Sequence, residues 1–272
     1  MTNSVIRMIV FGAHPDDCEL LVGGLAAKYV ALGHAVKFVS VTNGDAGHQL
    51  EGGGALARRR IEEAQRAGDV LGIEYEVLDH HDGELLPSLD ARRDVIRAIR
   101  QWEADLVISH RPNDYHPDHR YTGMLIQDAA YMVTVPNVCP DEPALFRNPF
   151  FFYAWDHYRK PYPFQPDVAI AVDGEMDKKW DMVHCHTSQF YEWLPYLDDQ
   201  LDQVPQTDEE RRRWLPSAWD KWMLAMTECC RERLKERYGE PKASMIRYAE
   251  TFEICEYGRQ PTKKDLEKLF SL

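Results

Sequence analysis

Two short runs concentrate the histidine and carboxylate side chains of this 272-residue chain: His14-Pro15-Asp16-Asp17-Cys18-Glu19 and His110-Arg111-Pro112-Asn113-Asp114-Tyr115-His116-Pro117-Asp118-His119. An imidazole nitrogen and a carboxylate oxygen are suitable ligands for a borderline cation such as zinc. Pro15 stiffens the first turn, so His14 and Asp17 can converge from one loop while Asp16 stays free beside the ion. A plainer reading stands next to this one, in which an acid near a helix N-terminus caps the helix and complements its dipole. It accounts for one aspartate but not for a histidine immediately before the turn. The second run brings more histidines and acids from another loop. Three protein ligands and one open position make a catalytic zinc site, whereas a structural site is closed by a fourth ligand, usually with cysteines. The six cysteines form no CxxC pair. Cys18 reads as a buried helix residue, since the neighbouring acids offer no cation to activate its thiol.

The elements that must position these runs follow from the apolar pattern. Residues 8–13 (MIVFGA) read as a strand that ends at the first run, and the helix behind it closes at Gly33. Strands at 36–42, 76–78 and 106–109 alternate with helices at 55–71 and 91–102, and further strands are expected at 150–155 and 168–172, with a helix at 218–238. Repeated strand-helix units imply an α/β, Rossmann-like, doubly wound and mainly parallel sheet with helices on both faces. Ligands of such sheets collect outside the carboxyl ends of the strands, where both runs fall. A single domain over 1–272 is expected, with a core at about 5–190 and a helical, Trp-rich part at about 191–272.

The 45 acidic against 32 basic residues leave a formal net charge of −13, which excludes a general affinity for nucleic-acid phosphates. Arg58, Arg59 and Arg60 are too short a basic run to reverse this and read as a solvated helix face. The N-terminal MTNSVIRMIVFGAHPDD lacks the pattern of a signal peptide, and no run is apolar enough to span a membrane, so a cytoplasmic location is the default. Homo-oligomerisation is left open.

AHPDDCE followed by HPDH in an α/β chain resembles the LmbE-like, or PIG-L, family of N-acetylglucosaminyl deacetylases. Gly23-Gly24, Thr42-Asn43-Gly44-Asp45-Ala46-Gly47, the Arg60 to Glu63 spacing, Asp82-Gly83-Glu84-Leu85 and His186-Thr187-Ser188-Gln189 are similar to family landmarks, so the likeness extends over roughly 8–190. The resemblance implies zinc ligands at His14, Asp17 and His119, a general base at Asp16 and an oxyanion-stabilising histidine at His116, with Asp118 orienting or charging that histidine. One Zn2+ per chain is implied, with another divalent transition metal as the substitute, and a small amino sugar or glycoconjugate as substrate. These roles agree with the chemistry of amide hydrolysis: zinc polarises the acetyl carbonyl and acidifies water, a carboxylate takes the proton, and the developing oxyanion needs a donor.

Arg60 resembles the family's helix arginine near the substrate. Asn43 and Asp45, on the loop after the second strand, reach the same strand edge and are candidates for contacts to sugar hydroxyls. Tyr115, with Trp155 and Tyr158, offers apolar ring faces for a sugar to stack on. His110 is a partner behind a ligand or merely the end of its strand, His80 and His81 read as loop surface, and His184 and His186 lie on a helix. Two other classes are weighed. A nucleotide-binding oxidoreductase is disfavoured because the first turn reads GAHPDD, not G-x-G-x-x-G, and its acids would repel a pyrophosphate. A non-catalytic metal or carbohydrate module is disfavoured by Asp16 and His116, neither of which is needed as a ligand. Hydrolysis of a non-sugar amide remains the enzymatic alternative.

Overall fold

A computed structural model describes residues 5–270; Met1–Ser4 of the stretch read for a leader lie outside the described residues. The elements run β1 (Arg7–Gly12), α1 (Asp17–Ala31), β2 (Ala35–Thr42), α2 (Gly53–Leu71), β3 (Glu74–His80), α3 (Leu89–Gln101), β4 (Leu106–Ser109), α4 (Pro117–Met132), β5 (Phe150–Ala154), β6 (Val168–Ala171) and α5 (Met176–His184). A π-helical turn at Gln189–Trp193 then leads into the single turn α6 (Leu194–Leu197), followed by α7 (Asp208–Cys229), α8 (Arg231–Tyr238), α9 (Glu240–Ala243), β7 (Ala249–Ile254) and α10 (Lys263–Phe270).

The seven strands form one sheet in the order β3-β2-β1-β4-β5-β7-β6. Neighbours from β3 through β5 pair in parallel, and β7 is antiparallel to both β5 and β6. Alternation along β1 shows why helices cover both faces. Met8 and Val10 join the core under α1, α5 and α7, while Ile9 and Phe11 join the core under α3 and α4. The chain moves outward from β1 through β2 to β3, then crosses back to β4 on the other side of β1. That reversal makes the carboxyl ends of β1 and β4 the switch point where ligands of such sheets bind.

The expected strands and the helices at 55–71 and 91–102 are present, within a few residues at their ends. Two expectations need correction. The helix expected at 218–238 starts at Asp208, where Thr207 caps it by accepting from the Glu210 N–H, and it breaks at Cys230 into α7 and α8. The strand β7 was not anticipated, and it inserts the C-terminal part into the sheet between β5 and β6.

β7 is tied to α1 by a buried carboxylate. Glu250 Oε1 accepts from the Gly24 N–H and Oε2 from the Leu25 N–H, at 2.8 and 2.7 Å. Lys179 of α5 pairs with the same carboxylate at 2.7 Å and donates to the Leu20 carbonyl. A Cβ on Gly24 would lie 2.6 Å from Val172 Cβ and 3.0 Å from Glu250 Oε1, so only glycine lets this carboxylate reach the helix backbone. Gly12 has a similar role at the site: a Cβ there would stand 2.7 Å from Asp17 Cβ, against the first turn of α1.

Candidate active site

β1 delivers His14, Asp16 and Asp17 to the switch point, and β4 followed by the N-terminus of α4 delivers His110, Asp114, His116, Asp118 and His119. All of these except Asp118 line one cavity of about 420 Å3. His14 Nδ1 lies 3.6 Å from Asp17 Oδ2 and 3.3 Å from His119 Nε2, and His119 Nε2 lies 3.5 Å from Asp17 Oδ1. An ion bonded at about 2.0–2.1 Å in tetrahedral geometry holds its ligand atoms about 3.4 Å apart. Taken in pairs the three side chains have the spacing and donor types that suit such an ion, with the two Asp17 oxygens each turned to one histidine. His116 also brings a ring nitrogen into the cluster with His14 and His119.

Each histidine of the triangle has a carboxylate on its other nitrogen. His14 Nε2 faces Asp82 Oδ1 at 3.0 Å and Asp118 Oδ2 at 3.4 Å, and His119 Nδ1 faces Asp114 Oδ1 at 3.1 Å. The Asp114 contact is a hydrogen bond of the kind that fixes ring orientation and raises ligand basicity, whereas the carboxylates at His14 Nε2 approach it as charges without hydrogen-bond geometry. Burial disfavours charge on His14, but Asp118, Asp17 and Asp82 outweigh it and hold its proton well above the ordinary histidine range. The reciprocal effect appears on the acids. Burial opposes ionisation of Asp17, yet His119, His110 and His14 keep its carboxyl well below the usual range. Asp82, against the same opposition from burial, is brought down to about 2 by His14 and Arg60. This corner of the pocket favours positive charge.

Asp16 sits differently. Its backbone has φ 127°, a left-handed conformation in which a non-glycine residue is strained by about 1–3 kcal/mol. Three contacts hold it there. Its N–H donates to the Tyr75 hydroxyl at 3.2 Å, Tyr75 donates in turn to Glu19, and Glu19 is held by His186 at 2.7 Å. Arg60 reaches Asp16 Oδ2 at 3.1 Å and also donates to the Pro15 carbonyl. Burial is the main force on the Asp16 carboxyl and raises it to about 7, with Arg60 pulling the other way. The helix α2 also presents Glu63, whose carboxylate accepts from the Ser188 hydroxyl at 2.6 Å, the Ser188 N–H at 2.9 Å and the Thr187 hydroxyl at 2.8 Å. One helix thus braces both the Asp16 turn and the segment after α5.

Several expectations change. The Asp118 carboxylate accepts from the Gly83 N–H at 2.7 Å and faces His14, so it acts on His116 as a nearby charge and not as a bonded partner. His116 Nδ1 accepts the Asp118 backbone N–H at 3.2 Å, so its ring proton belongs on Nε2. Burial, then the neighbouring His14 and His119, lower the His116 pKa, and Asp118 raises it too weakly to reverse the direction. Arg60 lines the cavity but is only 2% exposed, its guanidinium turned to Asp16 and Pro15. Asn43 and Asp45 do not line the cavity: Asn43 bonds Asp79 and the Asp45 N–H, and Asp45 bonds His81 and the Asp82 N–H. Both organise the loop that carries Asp82. Tyr115 does line the cavity and is 66% exposed, its ring edge-on to His116 and His119.

Asp82 and Asp114 were not singled out from the sequence, although each lay inside a quoted run. His110 is brought into the site, stacked on His119 at 4.2 Å with Nε2 at 3.2 Å from Asp17 Oδ2. Cys18 is buried and donates weakly to the Val10 and Val39 carbonyls, as a packed helix residue would.

With this geometry in view, comparisons with known proteins give a consistent pattern. The family described as PIG-L: GlcNAc-PI de-N-acetylase matches residues 9–130. The diacetylchitobiose deacetylase of Thermococcus kodakarensis is 30% identical over 207 residues, covering 72% of this chain and 76% of that protein. Among solved structures, N,N'-diacetylchitobiose deacetylase from Pyrococcus horikoshii superposes with a TM-score of 0.70 at 24% identity, over 93% of this chain and 84% of that one. The 4-carboxy-2-hydroxymuconate hydratase of Pseudomonas putida gives the same TM-score of 0.70 at 21% identity, over 95% of this chain and 99% of that one. The structural likenesses show a shared fold, which by itself does not choose between these reactions.

Proposed function

The chain belongs to the PIG-L family of de-N-acetylases, and from that premise we propose that it hydrolyses the N-acetyl amide of an N-acetylglucosamine-like sugar or glycoconjugate, releasing acetate and a free amine. The observation that supports this reading is the pairwise approach of His14, Asp17 and His119, whose facing nitrogen and oxygen atoms lie 3.3 to 3.6 Å apart, with the Asp16 carboxylate held separately beside them. His14, Asp17 and His119 would hold one zinc ion, which supplies a Lewis acid for the acetyl carbonyl and lowers the pKa of water.

The protein's own groups do the rest. Asp16, kept off the triangle by Arg60 and by the strained turn, takes the proton from the attacking water and returns it to the departing amine. His116 donates its Nε2–H to the oxygen that gains negative charge. Because Nδ1 already accepts the Asp118 N–H, the neutral ring presents that proton without needing to be charged. Asp82, Asp114 and Asp118 orient the histidines. Arg60 is a positioning residue for Asp16, and Tyr115 supplies a ring face at the mouth.

Among the described residues no helix is long and apolar enough to cross a membrane. All six cysteines are free, which supports placing the enzyme in the reducing cytoplasm. The reading is tested by incubating the protein with N-acetylated glycosides and measuring acetate and free amine together. Equal release of both, lost on chelation and restored by zinc, is expected. Conversion without acetate, or full activity after complete chelation, would overturn it.

A further inference from the structure

The cavity at the switch point has two chemically distinct halves. Its charged and titratable lining comes from 14–17, 60, 82, 110–119 and 156–157, whereas the lining from residue 189 onward is uncharged: Gln189, Trp193, Leu194, Leu197, Trp219 and Trp222. Trp219 and Trp222 lie one turn apart on α7, in the Trp-rich part beyond the stretch matched by the family. Both are fixed by aromatic neighbours. Trp222 meets Trp155 edge to face at 5.3 Å, and Trp219 meets Phe190 at 5.1 Å. Trp155 is buried at the end of β5, on a segment clamped by Arg111, which forks onto Asp156 at 2.6 and 2.7 Å and donates to the Tyr158 carbonyl at 2.8 Å. The apolar wall is therefore preformed. It includes exposed Leu197, and its Trp193 is stacked on exposed Tyr196 at 5.8 Å.

A sugar ring with its N-acetyl group needs polar partners, and those lie in the charged half. Tryptophan and leucine side chains at this density instead favour a ligand part that leaves water gladly and makes no hydrogen bonds. A phosphate or other anion would find no cation on this wall. We propose that the wall formed by Trp155, Trp193, Leu194, Trp219 and Trp222 is a subsite for an apolar group, aryl or alkyl, carried by the substrate next to the reacting amide. The position of that amide rests on the deacetylase reading above. The apolar group has two sources, an aglycone on the anomeric carbon or an N-acyl chain longer than acetyl.

Binding tests the subsite without needing turnover. Calorimetry with octyl and methyl β-D-glucosaminide should give the octyl compound an affinity at least about tenfold higher, since each fully buried methylene contributes about fourfold. Trp219→Ala and Trp222→Ala should each bring that ratio toward one, with Trp219→Phe and Trp222→Phe retaining most of it and showing that α7 still packs. Hydrolysis then separates the sources: a gain in kcat/KM for octyl N-acetylglucosaminide assigns the wall to the aglycone, and a gain for N-octanoylglucosamine assigns it to the acyl chain. Equal affinities in the unaltered protein, or a ratio that survives both alanine changes, would overturn the subsite. Tight octyl binding with no amide hydrolysis would instead leave the subsite standing and remove the deacetylase reading.

Discussion

At the scale of single residues, the carboxylates behind the histidines separate a built site from a chance cluster. Asp114 lies on the ring nitrogen of His119 that faces away from the triangle, and Asp82 does the same for His14. Removing such a partner commonly lowers metal affinity by about 10-fold to 100-fold. Asp114→Ala and Asp82→Ala should each weaken zinc by that factor in competition with a chromophoric chelator, and an unchanged affinity in both would show that the carboxylates do not support the ligands. The proposed ligands were legible as candidates because each sits in a compact run with a proline. Asp82 and Asp114 were harder to see, since a lone acid in a loop gains meaning only when the fold turns it toward a particular nitrogen. Asn43 and Asp45, expected near the substrate, lie outside the cavity lining. A polar loop residue at a strand's carboxyl end can face substrate or its own loop, and these two spend their polar atoms on Asp79, His81 and neighbouring N–H groups.

At the scale of elements, the parallel half was readable from alternating apolar strands and helical spacing, but β7 was not. Its sequence AETFEI alternates, but it carries two glutamates in six residues, and Glu250 is fully buried only because α1 and Lys179 satisfy it. The early start of α7 had a sequence signal in the T-x-x-E spacing of Thr207 and Glu210, where the Thr207 hydroxyl accepts from the Glu210 N–H and donates to the Glu210 carboxylate. The buried Glu250 to Lys179 pair carries an expectation of its own. Taking away one partner strands a charge in the core, a loss of about 3–5 kcal/mol. Lys179→Met should therefore lower the urea midpoint strongly, and a midpoint equal to that of the unaltered protein would mean that Glu250 is satisfied by the α1 backbone alone.

At the scale of the whole molecule, the C-terminal residues complete the sheet that the N-terminal residues begin, since β7 lies between β5 and β6 and is bonded to α1 through Glu250. We propose that the chain unfolds as one unit. Six of its seven tryptophans lie between 155 and 222, so their fluorescence follows the later half while far-UV circular dichroism follows the whole. The two urea transitions should coincide, and separated midpoints would divide the chain into independent units. The same connectivity brings an apolar wall from α6 and α7 to the histidine and aspartate corner built by β1 and β4, so the proposed subsite and the proposed metal ligands come from different parts of the sequence. The central claim is that Asp16 moves protons while His119 holds the ion, and metal content and acetate release measured on the same samples test it most directly. The unaltered protein should carry about one zinc per chain and release acetate from an N-acetylglucosaminide. Asp16→Asn should keep the zinc while turnover falls about 100-fold to 10,000-fold, and His119→Ala should lose both. Near-normal turnover in Asp16→Asn, or full zinc content in His119→Ala, would contradict the account.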